Sequence, residues 1–229
     1  MNIKIYLSIN KAHLLWALLI LVINAKAQNL VPNYSFETYT QCPPNGYGKI
    51  SLAAPWTTAN NAGTQCEYCN ACSNSNCCSV PFNTYGYGYQ YAHTGNAYAY
   101  TSFIGFFGSN DRGYAQVKLL DTLKAGFCYS ITFYINFADC YQLACNNISL
   151  LLTDTATYLP SSGKYIPAIP QIIQYGNPVI KDTLNWVKVG GIYTAHGGEQ
   201  YITIGNFSDD SHTDTIQFPT NIKSGGGLI

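Results

Sequence analysis

From Tyr129 to Ala138 the apolar residues recur at every second position. Tyr129, Ile131, Phe133, Ile135 and Phe137 alternate with Ser130, Thr132, Tyr134 and Asn136. Two is the period of an extended chain, whose successive side chains point to opposite faces. A strand is predicted here, with the odd positions buried and Tyr134 and Asn136 on its wet face. The same rhythm returns in Ala115, Val117 and Leu119, set between Gln116 and Lys118, and in Ile148, Leu150 and Leu152, set beside Ser149 and Thr153. Val187, Val189, Ile202 and Ile204 mark later strands. Turn-forming runs separate these segments: Lys124-Ala125-Gly126, Ser161-Ser162-Gly163 and His196-Gly197-Gly198. No helical spacing stands out after residue 27. About eight strands are expected, in an all-β antiparallel β-sandwich of jelly-roll type. Residues 57–84, rich in Asn, Cys, Ser and Thr, break the pattern and read as a long Cys-rich loop. Tyr85 to Tyr91 alternates Tyr with Gly and reads as a twisted strand or strand edge.

The first 27 residues are of a different kind. Lys4 and Lys11 precede an apolar run from His13 to Ile23, which ends at Ala25-Lys26-Ala27. A basic flank, a short apolar core and small residues at Ala-x-Ala are the marks of an export signal. The run is shorter than the ~20 apolar residues of a membrane span. The mature chain is expected to begin at Gln28 and to form one β-sandwich domain over residues 28–229, in an extracellular or outer-membrane-surface setting. It contains no second long apolar segment, so no transmembrane segment is expected in it.

Charged residues make up 10% of the chain, against ~25% in average soluble domains. Polar character comes instead from amides, hydroxyls and 20 tyrosines. Such a surface suits extracellular recognition, because Tyr offers an apolar face with a polar rim. Without the three lysines of the leader the formal charge is −3, and no basic patch is present. Nucleic acid is therefore excluded as a partner.

All nine cysteines, Cys42, Cys66, Cys69, Cys72, Cys77, Cys78, Cys128, Cys140 and Cys145, follow the leader. Export to an oxidising space favours disulfides, and the odd count leaves at least one thiol over. The run Cys66-x2-Cys69-x2-Cys72-x4-Cys77-Cys78 also has spacings that zinc or an iron–sulfur cluster could use, although its fourth interval does not match the iron–sulfur pattern. Cys140 and Cys145 close a short loop and could pair as a staple, while Cys42 and Cys128 could reach the cluster.

Asn29-Leu30-Val31-Pro32-Asn33-Tyr34-Ser35-Phe36-Glu37 resembles the opening of galactose-binding-like carbohydrate-binding modules. More closely, it is similar to a family of exported surface proteins of gliding, type IX-secreting bacteria. The resemblance continues through Gln41-Cys42-Pro43, Ser51-Leu52-Ala53-x-x-Trp56, Gly95-Asn96-Ala97-Tyr98-Ala99, Tyr114-x-Gln116-Val117-Lys118-Leu119 and the block from Gly197 to Phe207. It implies a surface β-sandwich but no defined activity, since fold and function separate easily. The family's closing strand has no counterpart before Ile229, so a missing final strand is expected, which would leave an edge open.

Three further kinds of site follow. Structural calcium is the only cofactor considered. The family implies Glu37 as one ligand, and Asp209 and Asp210 could supply further oxygens; the alternative is a solvated acidic turn. A glycan or another cell-envelope component is the expected partner. Its candidate contacts are Tyr134, Asn136, Asp139, Tyr141, Tyr89, Tyr98 and Trp186, with Tyr87, Tyr91 and Tyr100 beside them, by ring stacking and hydrogen bonding; the alternative for each Tyr is ordinary packing. Asp-Thr-apolar triplets at Thr122, Thr155, Thr183 and Thr215 resemble the O-glycosylation signal of the same bacterial group, or else are local turn chemistry. Catalysis is not expected: no His pair has metal spacing, and neither a nucleophile elbow nor a phosphate loop occurs. Glu37 and Glu199 would be the only glycosidase-like pair, and both lie in blocks explained by the resemblance. The reading is a non-catalytic recognition domain. Its rival is a structural or adhesion module that binds protein or peptidoglycan-associated partners.

Overall fold

The computed structural model describes residues 28–46, 48–60, 66–83, 88–105, 110–159, 164–218 and 226–229. The expected export signal at 1–27 and the expected turn at Ser161-Ser162-Gly163 lie outside the described residues. Residues 31–229 form one compact unit. Among the described residues it is all-β, with antiparallel pairing throughout and no α-helix.

The strands are β1 (Thr57–Thr58), β2 (Cys66–Asn70), β3 (Phe82–Asn83), β4 (Gly88–Tyr89), β5 (Ala97–Ile104), β6 (Ala115–Lys118) and β7 (Cys128–Ile135), then β8 (Leu143–Cys145), β9 (Ile148–Thr153), β10 (Ile172–Ile173), β11 (Val187–Thr194), β12 (Tyr201–Asn206), β13 (Thr215–Gln217) and β14 (Gly226–Leu228). A five-stranded sheet runs β1-β6-β12-β9-β10, and a three-stranded one runs β14-β5-β2. β7 pairs with β11, β8 with β13, and β3 with β4.

The long β7–β11 ladder follows the expected alternation. Ser130, Thr132 and Tyr134 are exposed, whereas Tyr129, Ile131 and Phe133 are half-buried. Gly191 of β11 is exposed, and a Cβ there would stand 3.5 Å from Cδ1 of Ile172 on β10. The turns at 124–126 and 196–198 that bound this ladder are both present: Gly126 and Gly198 donate to Ala195 and Leu123 carbonyls.

Alternation ends at Ile135. Residues 135–138 are all buried, so Asn136 is not on the wet face. Its backbone N–H and C=O exchange hydrogen bonds with Ile229, each 2.9 Å, and Ala138 N–H donates to Gly227 O. The chain's last residues therefore form β14 and lie along β5 on one side and residues 136–138 on the other. A second chain segment replaces water at the position the alternation would have left wet.

The five-stranded sheet departs from the simple pattern in the same way. β9 is buried on both faces from Ile148 to Leu152. A cluster of Ala59, Tyr114, Leu151, Leu159, Ile166 and Phe207 covers one side. Gln116, expected on a wet face, is buried; its Oε1 accepts from Thr157 N–H (2.6 Å) and from Thr203 Oγ1 (3.1 Å). These bonds hold the segment after β9 across the sheet and satisfy the buried amide. Gly205 is fixed by the same layer: a Cβ there would stand 2.2 Å from the Tyr114 ring.

The Cys-rich stretch is not a plain loop. It contains β2, whose five residues are all buried and which pairs with β5. One disulfide, Cys42–Cys72, ties the stretch to the opening segment. Cys66, Cys69, Cys77, Cys78, Cys128 and Cys145 keep their thiols, so the staple that Cys140 and Cys145 could have made is not formed. Cys145 instead lies in β8, where its strand pairs with β13.

Candidate functional site

Six aromatic residues, drawn from separate parts of the chain, form one connected ridge on the surface. Phe82 on β3 and Tyr89 on β4 are cross-strand partners, with ring centroids 6.5 Å apart. Tyr89 meets Tyr91 edge to face at 5.6 Å, and its hydroxyl donates to the Tyr91 hydroxyl at 3.2 Å. That bond pushes the Tyr89 phenol pKa up. Trp186, in the approach to β11, donates its indole N–H to Tyr91 O at 3.1 Å. His93 stands 5.9 Å from Trp186 and stacks on Tyr134 of β7 at 3.8 Å with a 19° interplanar angle. Phe82, Tyr89, Tyr91 and Tyr134 are 58%, 50%, 63% and 40% exposed, which for side chains in mutual contact marks a patch rather than scattered surface residues.

Packing from beneath fixes the ridge. Tyr98 is buried on β5 and meets Trp186 edge-on at 6.2 Å. Gln90 is buried, and its amide is assigned the orientation in which nitrogen donates to Thr183 O (3.2 Å) and oxygen accepts from Trp186 Nε1 (3.0 Å). Asn136 anchors the neighbouring turn by donating to Asp182 O (3.0 Å) and Asn185 O (3.2 Å). Asp182 in turn accepts from the N–H groups of Leu184 and Asn185, which hold its carboxyl below the usual range.

Two charged groups border the rings. Lys188 of β11 is exposed and sits directly opposite Tyr134 in the ladder. Asp139 lies against Gly88, where a Cβ would collide with its carboxylate. Desolvation raises the Asp139 pKa, against the pull of a hydrogen bond from the Tyr89 backbone N–H. Gly88 has φ +103°, a conformation open to glycine, and the missing side chain is what admits the carboxylate.

Of the expected ligand contacts, the ridge brings together Tyr134, Tyr89 and Trp186, with Asp139 at its border. Asn136, Tyr98 and Tyr141 are buried and do not face solvent. Tyr141 stacks in the core on Tyr100 at 5.8 Å. Tyr87 lies outside the described residues. Sequence reasoning passed over Phe82 and His93. The only signal for them was proximity to the Gly-Tyr stretch, since neither falls on a period-two strand.

The carboxylates considered for calcium are held by protein donors. Glu37 accepts from the Asn96 backbone at 2.8 Å. Asp209 caps a short 3-10 turn, accepting from Ser211 Oγ (2.8 Å) and His212 N–H (2.9 Å), which lower its pKa. Asp210 pairs at 2.8 Å with Arg112, which is wholly buried, and accepts from Asn110 N–H at 2.8 Å. Among the described residues no group of three or more His, Cys, Asp or Glu is arranged to hold a metal.

The CxxC spacing also loses its chelating geometry. Cys66 and Cys69 lie in one extended strand at odd separation, so their side chains leave opposite faces. Thr122, Thr155 and Thr215 are exposed and Thr183 is half-buried. Asp121 accepts from Thr122 N–H at 2.8 Å, which is the local turn chemistry such triplets favour.

Three of the blocks quoted for the resemblance, at 29–37, 51–56 and 95–99, meet in space. Asn33 accepts from Trp56 Nε1 through its carbonyl at 3.0 Å, Phe36 packs on Trp56 at 4.9 Å, and Glu37 reaches Asn96. Glu199 accepts from Tyr193 Oη, His196 N–H and Gly197 N–H. Burial works against its ionised form, but these bonds outweigh it and keep the pKa below the usual value. Comparison with protein-family models, curated proteins and solved structures finds no match in any of the three. The functional reading therefore rests on the side chains themselves.

Proposed function

We propose that this chain is a non-catalytic, exported surface recognition domain that binds glycan along the ridge of Phe82, Tyr89, Tyr91, His93, Tyr134 and Trp186. The fold that would carry it is a jelly-roll sandwich, with the β7–β11 ladder as part of one layer and the five-stranded sheet as the other. The observation that carries the reading is the ridge: exposed rings in mutual contact, backed by buried Tyr98 and Gln90. A pyranose presents an apolar C–H face to an aromatic ring and hydroxyls around its rim. The rings would stack on that face, while the Tyr hydroxyls, Asp139 and Lys188 would exchange hydrogen bonds with the rim. Because His93 already stacks on Tyr134, little side-chain freedom remains to be lost on binding. The scarcity of charge favours a neutral or weakly charged ligand.

The rival, an adhesion module that binds protein, draws on exposed apolar side chains that are not part of the ridge, including Tyr175, Leu184 and Ile192. A glycan array separates the two. The glycan reading expects binding to at least one related set of oligosaccharides, weakened about fivefold by Tyr134→Ala, as loss of roughly 1 kcal/mol of ring stacking requires. A flat array at high protein concentration contradicts it.

A further inference from the structure

Cys69 and Cys78 lie together in the buried core. Both are fully buried and belong to the same core cluster, together with Tyr98. The backbone joins their segments: Asn70 N–H donates to Cys78 O at 3.0 Å, which sets residue 69 beside residue 78. The two thiols lie close enough in this core that Cys78 is among the groups pushing the Cys69 pKa up, after burial itself. Cys66 is directed to the other face of β2, beside Thr101, and is not part of this contact. The existing Cys42–Cys72 disulfide already fastens the intervening segment to the opening of the chain.

We propose that Cys69 and Cys78 are the site of a second disulfide, formed when the chain folds in the presence of a small-molecule disulfide such as oxidised glutathione. The Cys69 thiolate attacks one sulfur of that disulfide, forming a mixed disulfide and releasing one small thiolate, which takes up a proton. The Cys78 thiolate then attacks the Cys69 sulfur and releases the second small thiol. Two protein thiols are oxidised by two electrons, and one small-molecule disulfide is reduced to two thiols. The exchange precedes burial, because burial pushes the Cys69 thiol pKa well up and keeps the nucleophilic thiolate scarce in the folded protein. The bond would staple β2 to the end of the Cys-rich stretch beneath Tyr98, and so beneath Trp186 of the ridge.

The test is thiol counting by alkylation and intact mass on the full chain, refolded with a glutathione couple and denatured before labelling. Cys69→Ser and Cys78→Ser are each expected to show one more reactive thiol than wild type, since each releases a partner. The double variant is expected to show the same number as wild type. One thiol fewer in either single variant, or a changed count in the double variant, overturns the pairing. Electron-transfer fragmentation of the unreduced wild-type protein gives a readout that does not depend on the variants folding. A Cys69–Cys78 cross-link is expected, and unlinked or differently linked cysteines contradict the proposal.

Discussion

Glu67 is a carboxyl group wholly buried in β2, with its oxygens facing the N–H groups of Gly48 (2.7 Å) and Lys49 (3.3 Å). Burial raises its pKa to about 7, and the two backbone bonds and Lys49 offset only part of that shift. A carboxyl raised in the folded state favours folding in its protonated form. Stability from this group is therefore complete below pH ~4.5 and is lost as the pH rises toward 7. The loss is roughly 3 kcal/mol at most, by the usual conversion of pKa shift to free energy. Glu67→Gln, which imitates the protonated form, should raise the melting temperature by several degrees at pH 8 and leave it nearly unchanged at pH 4. Thermal melts of both proteins at the two pH values check this, and an equal change at both would contradict it. Nothing in the sequence marked Glu67, because a single acidic residue in a Cys- and Asn-rich stretch reads as a solvated loop position. The Tyr134 and Asn136 pair shows the same limit. Alternation gave both residues one face, but the pairing of residue 136 with Ile229 lies 93 positions away in the chain and leaves no local trace.

At the scale of elements, strands with one open face were legible and covered strands were not. The β7–β11 ladder keeps its alternation because water meets its outer side. β6, β9 and β12 lose theirs because the segment after β9 returns over them, held by Gln116, Thr157 and Thr203. Gln116→Ala removes the acceptor of the Thr157 N–H and should cost about 1–2 kcal/mol. Hydrogen exchange would locate the effect: protection at 155–159 is expected to fall while the β7–β11 ladder keeps its own. Uniform loss of protection across both would contradict a local role for this bond. β2 was hidden for a different reason. Cys, Glu, Tyr and Asn give no clear hydrophobic period, and its burial comes from pairing with β5 and from packing around Tyr68.

For the molecule as a whole, the all-β architecture and the abundance of Tyr were apparent from residue types alone, whereas the aromatic ridge was only partly so. Tyr89, Tyr134 and Trp186 could be named from composition and pattern, but their union through Tyr91 and His93 depends on β4, β7 and the approach to β11 arriving at one place. Tyr98 and Tyr141 were equally plausible by type, and tertiary packing turned them inward. Among the described residues Trp186 gives the ridge its own reporter, since Trp56 is buried among Phe36 and its neighbours. The most direct measurement is a tryptophan fluorescence titration of the full chain with the strongest glycan from the array. The ridge predicts a saturable emission change that disappears in Trp186→Phe, with a dissociation constant raised about fivefold by Tyr134→Ala. An emission change that persists in Trp186→Phe, or an affinity untouched by Tyr134→Ala, would contradict it.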